Sequence, residues 1–205
     1  KCDAIKFQTY KSETTYVENA GKSDYLSNSG INEQITEIFN DLSMPYDMIP
    51  ELADYCKMQK IEFMSTPFSV NDAKAIDPFV LRHKIASFEI SHLRLIEFLA
   101  GTNKPLILST GASTLDEIEW AVNYFYDNGG KDISLLHTIS KYPAPLSSLN
   151  LKIISELENF NLKVVTHNSN KKNLKDIDVY IVDTFGETKK FHKIGCSVFL
   201  GGSII

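Results

Sequence analysis

Short apolar stretches alternate with segments of helical period along most of this chain, and stretch after stretch ends on small polar or charged residues. Residues 3–8, 61–64, 84–87, 105–109, 133–137 and 162–165 carry the strand pattern. Helical spacing recurs between them, through Ile31, Ile35, Ile38, Phe39 and Leu42, and again over residues 48–58 and 70–76. It returns at Leu93, Ile96, Phe98 and Leu99, and over residues 149–157. Thr114 with Glu117 three residues later predicts a capped helix whose buried face is Leu115, Ile118, Val122 and Phe125. The stretch from Thr9 to Gly30 has no clear period and is expected to be a long loop. Such βα alternation implies a parallel sheet with right-handed crossovers. A closed (β/α)₈ barrel and a doubly wound open sheet then compete, and both gather function at the carboxyl ends of their strands. Polar residues mark every strand end in the run, where an open sheet would concentrate them at one switch point. The expected fold class is therefore α/β, of the (β/α)₈ TIM-barrel type.

Those strand ends carry chemistry. Lys6 lies in Ala4-Ile5-Lys6-Phe7-Gln8 and Lys84 in His83-Lys84-Ile85-Ala86-Ser87, with Ser65-Thr66-Pro67, Ser109-Thr110-Gly111 and His137-Thr138 at neighbouring ends. An ammonium inside a sheet costs several kcal/mol unless an anion compensates it. Placed at a common mouth with hydroxyl neighbours, the two lysines are expected to bind something negatively charged.

The remaining bulk features exclude more than they specify. A net charge of -5 argues against a general nucleic-acid binder. No apolar run approaches the roughly 18 residues needed to span a bilayer. Cys2, Cys56 and Cys196 have no metal or redox spacing, so a reduced, cytoplasmic setting is expected. The chain opens on a Lys almost directly into a strand and closes on Gly201-Gly202-Ser203-Ile204-Ile205, so it is expected to be a fragment with an incomplete barrel. After Thr166 the pattern changes: a polar run from His167 to Asn173 precedes a strand over residues 179–182, a short helix over 188–193 and a strand over 197–200. Two units are expected, residues 1–163 and residues 164–205, the second a short Rossmann-like α/β segment.

Five motifs in order carry a resemblance. They are Ala4-Ile5-Lys6-Phe7-Gln8, Ile61-Glu62-Phe63-Met64-Ser65-Thr66-Pro67-Phe68, Lys84-Ile85-Ala86-Ser87-Phe88-Glu89-Ile90, Pro105-Leu106-Ile107-Leu108-Ser109-Thr110-Gly111 and the run from Leu136 to Pro145. Residues 4–163 resemble the barrel of the sialic acid (N-acetylneuraminate) synthase family, which condenses phosphoenolpyruvate with an N-acylated amino sugar to give a nonulosonic acid. The resemblance implies that Lys6, Thr66, Lys84 and Ser87 surround phosphoenolpyruvate and that Ser140 faces the same ligand. It implies that Ser109 and Thr110 line the mouth, that Tyr142 lies near it, and that Glu89 contacts the sugar or orients the site. It further implies a divalent metal, Mn or Mg, as Lewis acid in the intact family, and a homodimer.

Departures from the family pattern set a further expectation. The strand that ends in the family's glutamate would precede residue 1, and the strand that should lead to the metal-binding Ser-Asp-His-Thr motif reads Leu162-Lys163-Val164-Val165-Thr166-His167-Asn168, where the pattern breaks. No catalytic acid or metal ligand is assigned, this chain is not expected to bind the metal, and it is expected to be weakly active or inactive. The C-terminal domain that lends an arginine to the partner subunit is missing from the pattern. Phe88 stands where a Gly is usual and is expected to crowd its turn. Residues 178–187 with Val198-Phe199-Leu200-Gly201-Gly202-Ser203 resemble the second domain of 3-deoxy-D-manno-octulosonic acid transferases, as a join between two genes' segments would produce.

Several conspicuous side chains have ordinary readings. His137 is expected to be a hydrogen-bonding group, His83, His92 and His192 surface or packing residues, and Trp120 a packing residue. Glu117 and Glu119 belong to a capped, solvated helix, and residues 168–173 to a linker. The alternatives to a synthase fragment are a non-catalytic anion- or carbohydrate-binding remnant and glycosyl transfer by the tail.

Overall fold

A computed structural model describes residues 3–18, 20–27, 30–140, 144–157, 164–166 and 179–181. Strand β1 (Ala4–Thr9) pairs in parallel with β2 (Glu62–Pro67), setting Lys6 opposite Met64 and Gln8 opposite Thr66. Strands β3 (His83–Ile85), β4 (Leu106–Ser109) and β5 (Ile133–Leu136) form a second parallel ladder, with Lys84 opposite Ile107. β2 lies alongside β3, so the two ladders adjoin in chain order. Short strands β6 (Val164–Thr166) and β7 (Val179–Ile181) pair with each other, also in parallel. The molecule is an α/β protein built on parallel sheets, as the alternating pattern predicts.

The crossovers follow local sequence chemistry. Helix α3 (Ile35–Leu42) and helix α4 (Met48–Gln59) lead into β2, and α4 stops where Lys60 turns left-handed at φ 57°. Helix α5 (Val70–Ile76) starts at Ser69, whose hydroxyl accepts the Asp72 N–H. Helix α6 (Leu93–Gly101) is capped by His92, whose Nδ1 accepts from Leu95 N–H. Helix α7 (Leu115–Asp127) opens on the expected capping box: the Glu117 carboxylate accepts the Thr114 N–H at 2.7 Å while Thr114 Oγ1 accepts the Glu117 N–H.

Strand alternation divides the sheet faces. Ile85, Leu106, Leu108, Ile133 and Leu135 face the helices and pack with Leu95, Leu99, Ile118, Val122 and Phe125. Phe63 does the same beside β1, stacked 5.6 Å from Phe7, in a second cluster with Ile49, Cys56, Ile76 and Val80. Lys6, Met64, Thr66, Lys84, Ile107 and Ser109 alternate with these and take the opposite face. That face is also enclosed over β2 to β4, where Met64 is 1% exposed and Ile107 4%, while Lys6 on β1 is exposed.

Differences from the sequence reading have physical causes. The loop after β1 contains two single-turn helices, α1 (Ser12–Thr15) and α2 (Asp24–Ser27), too short to leave a hydrophobic period. The strand expected to reach Ser87 stops at Ile85, and residues 87–89 turn in a 3₁₀ geometry. Phe88 does not crowd that turn, since it projects outward and is 74% exposed. The last helical segment divides into a 3₁₀ turn (Leu146–Ser148) and helix α8 (Ile153–Leu157). Trp120 stacks on Tyr124 at 5.3 Å across one helical turn, a packing role as expected. The helix expected over 188–193, the strand over 197–200, His192 and the linker 168–173 lie outside the described residues.

His83 is not a surface residue: it is fully buried on the helix-facing side of β3. Its Nε2 lies 3.0 Å from Asp77 Oδ1, which Lys104 Nζ also approaches at 2.8 Å, while its Nδ1 has no partner among the described residues. Burial holds the imidazole pKa below its ordinary 6.5, against the raising effect of Asp77 and with a smaller lowering effect of Lys104. The unfolded chain therefore takes up this proton first as pH falls, and stability declines below about 6.5. Thermal midpoints should drop between about pH 7 and 5, and His83→Gln should flatten the drop. A level wild-type midpoint across that window would contradict this account.

Candidate active site

The carboxyl ends of β1 to β5 bring most of the sequence-predicted residues into one region. Lys84 lies within β3 rather than at a solvated tip, and is only 5% exposed. Its ammonium donates to the Ile85 carbonyl at 2.7 Å and to Ser109 Oγ, leaving one N–H unspent. No carboxylate among the described residues pairs with it. Burial, helped by the nearby Lys6 charge, pulls its pKa from 10.5 to about 7. Lys6 stands across β2, roughly 10 Å away along the sheet by strand spacing. It reaches water yet is crowded enough that burial lowers its pKa as well. Two cations held against each other at one sheet face, one of them desolvated, favour an anion between them.

Hydroxyls lie at the same strand ends. Thr66 is 3% exposed, in register with Gln8 next to the Lys6–Met64 pair. Ser109, 7% exposed, accepts the Lys84 bond. The Thr110 hydroxyl is already committed, donating to the Leu136 carbonyl at 3.0 Å and tying the β4 end to β5. Ser87 Oγ accepts the Gly111 N–H at 3.0 Å and lies 3.1 Å from Thr138 Oγ1. Ser140 is exposed, and Tyr142 lies outside the described residues.

Glu89 is half-buried on the turn after β3, with burial raising its pKa against the lowering effect of His92. Tyr16, in the loop after β1, has its own pKa raised by burial and then by the Glu89 charge. The sequence reading missed Tyr16. Its ring packs 4.6 Å from Phe39, an aromatic pairing between loop and helix that no period announces. Thr9, bonded to Ser65 at 2.7 Å, was missed too, because its hydroxyl faces the helix side of β1.

Among the described residues the donors do not suit a divalent metal. Among the described residues no three His, Cys, Asp or Glu side chains converge. His137 is held by the Leu149 carbonyl at 2.7 Å, His83 by Asp77 and His92 by the α6 cap, while His167 lies outside the described residues.

The model of the NeuB family matches residues 1–167. The chain belongs to the NeuB family. It is 32% identical over 158 residues to the spore coat polysaccharide biosynthesis protein SpsE of Bacillus subtilis, covering 76% of this chain and 41% of that protein. It is 35% identical over 160 residues to the N,N'-diacetyllegionaminic acid synthase of Campylobacter jejuni, covering 76% of this chain and 48% of that one. Among solved structures, the N-acetylneuraminic acid synthetase of Leptospira borgpetersenii, in complex with citrate, superposes with a TM-score of 0.68 at 25% identity, covering 87% of this chain and 61% of that chain. This NeuB-family chain thus spans less than half the length of these two sequence relatives. No helix among its described residues is long and apolar enough to cross a membrane.

Proposed function

We propose that the carboxyl-end mouth binds phosphoenolpyruvate as the anion half of a nonulosonic acid synthase site. The observation that carries this is Lys84, a buried ammonium with no carboxylate partner among the described residues, facing Lys6 and ringed by hydroxyls. A phosphate and a carboxylate on one small molecule would satisfy both lysines. Thr66, Ser87, Ser109 and Ser140 supply further donors around it, with Thr110 shaping the rim. Glu89, kept from easy ionisation by burial, suits an orienting contact to a sugar hydroxyl or amide. The acceptor is an N-acylated amino sugar such as N-acetylmannosamine. In the condensation the enol C3 bonds to the sugar aldehyde carbon, water adds at C2, and the C2–O bond to phosphate breaks. Lys84 and Lys6 hold the phosphate as its charge grows on leaving.

The enclosed face carrying Met64 and Ile107 supports closure of the strands into a (β/α)₈ barrel, in a homodimeric, cytoplasmic enzyme of carbohydrate biosynthesis. A family match that ends at residue 167 supports a change of unit at 163/164. The tail's likeness to a sugar-acid transferase falls almost wholly outside the described residues, and CMP binding by the chain would test it.

A second reading is an anion-binding remnant without turnover; among the described residues no three His, Cys, Asp or Glu side chains converge. Phosphoenolpyruvate, N-acetylmannosamine and Mn²⁺ incubated with the chain should give little or no nonulosonic acid, while phosphoenolpyruvate alone binds saturably. Robust product formation would overturn the prediction of weak activity. Absence of saturable binding would overturn the anion site itself.

A further inference from the structure

Ser87, Gly111 and Thr138 join the ends of β3, β4 and β5 at one point, and the proton count there is unusual. Ser87 Oγ has two lone pairs and one proton. One lone pair accepts the Gly111 N–H at 3.0 Å. Thr138 Oγ1, 3.1 Å away, is the other neighbour, and either hydroxyl can donate to the other. The Thr138 hydroxyl has this position because residue 111 has no side chain: a Cβ there would lie 2.5 Å from Thr138 Oγ1 and 2.6 Å from its carbonyl oxygen. Glycine is required here for close approach.

An anion at the mouth accepts hydrogen bonds and donates none. For Ser87 to serve it, the serine proton must point outward, which leaves the second lone pair free to accept from behind. Among the described residues Thr138 is the hydroxyl placed to donate there. We infer that Thr138 is a positioning residue which donates to Ser87 Oγ and so turns the Ser87 proton onto the bound phosphate or carboxylate. The inference rests on the anion-site reading and deepens it. In the opposite arrangement Ser87 would spend its proton on Thr138 and present the ligand with a bare lone pair.

The test is a phosphoenolpyruvate titration of the full chain as wild type, Thr138→Val, Thr138→Ser, Ser87→Ala and the Thr138→Val/Ser87→Ala double variant. Thr138→Val keeps the shape and removes the hydroxyl, and should weaken binding roughly three- to tenfold. Thr138→Ser should restore wild-type affinity. In the Ser87→Ala background the valine should cost nothing further, which a loss through general loosening of the fold would not reproduce. Wild-type affinity in Thr138→Val, or an undiminished loss in the Ser87→Ala background, would overturn the inference while leaving the anion site standing. If Thr138→Val does not fold, full affinity in Thr138→Ser still supports the assignment, and weakened binding there opposes it. Wild-type protein that fails to bind phosphoenolpyruvate would sink the anion-site reading and this inference with it.

Discussion

Lys84→Met should abolish phosphoenolpyruvate binding, weakening it roughly a hundredfold or more, while raising the thermal midpoint of the ligand-free chain at neutral pH. The two effects have opposite signs because one group causes both. In the free protein the Lys84 ammonium is desolvated, spends two donors on Ile85 O and Ser109 Oγ, and lies near a second cation. Methionine keeps the length of the side chain and removes that penalty. The same residue gives a pH dependence. Its pKa falls from 10.5 to about 7 on folding, so between those values the unfolded chain holds a proton that the folded chain has lost. Ligand-free stability should therefore rise with pH across that window, and the rise should vanish in Lys84→Met. Loss of binding with a lowered midpoint would instead mark Lys84 as structural.

The second large effect is on the fold. Phe125→Ala should destabilise the chain by about 3–5 kcal/mol, a large share of the roughly 5–15 kcal/mol typical of a domain. Phe125 is fully buried at the end of α7, against the helix-facing residues of β3 to β5. The backbone after it is shaped to the ring. Gly130 N–H donates to the Phe125 carbonyl at 2.9 Å, and a Cβ at residue 130 would stand 2.3 Å from ring carbon Cε1. The cavity left by alanine cannot be filled by local collapse of a turn already in contact with the ring. Urea denaturation checks this: the midpoint should fall sharply with the slope unchanged. An unchanged midpoint would mean that the helix does not pack as described.

Much of this was legible in the sequence, for reasons particular residues show. Helix α5 matches the predicted residues 70–76, and the Thr114–Glu117 capping box fixed the start of α7, because both signals are local chemistry. The strands were legible by period, with ends off by one to three residues. Lys84 was expected at a solvated tip. The strand in fact ends one residue beyond it, at Ile85, so its side chain is drawn into the enclosed face. No local pattern reports that neighbouring strands will seal a face. His83 is the mirror case: next to Lys84 in sequence, it alternates onto the helix side and is buried among apolar residues. Thr138 was visible as a strand-end hydroxyl, yet its role depends on Ser87 and Gly111, which are 51 and 27 positions away. The Ser109-Thr110-Gly111 run carried a usable signal, since a glycine straight after a strand end often marks close backbone approach.

The central claim is that the mouth binds an anion by protonating Lys84. Calorimetric titration of phosphoenolpyruvate near pH 8, in two buffers of different ionisation heat, tests it most directly. At that pH most of the free Lys84 is neutral, and the bound anion raises its pKa, so each binding event should take up a substantial fraction of one proton from the buffer. Affinity should fall by up to about tenfold per pH unit above about 7. Lys84→Met should show no saturable heat. Tight binding with the same apparent heat in both buffers, or binding that survives Lys84→Met, would contradict the account.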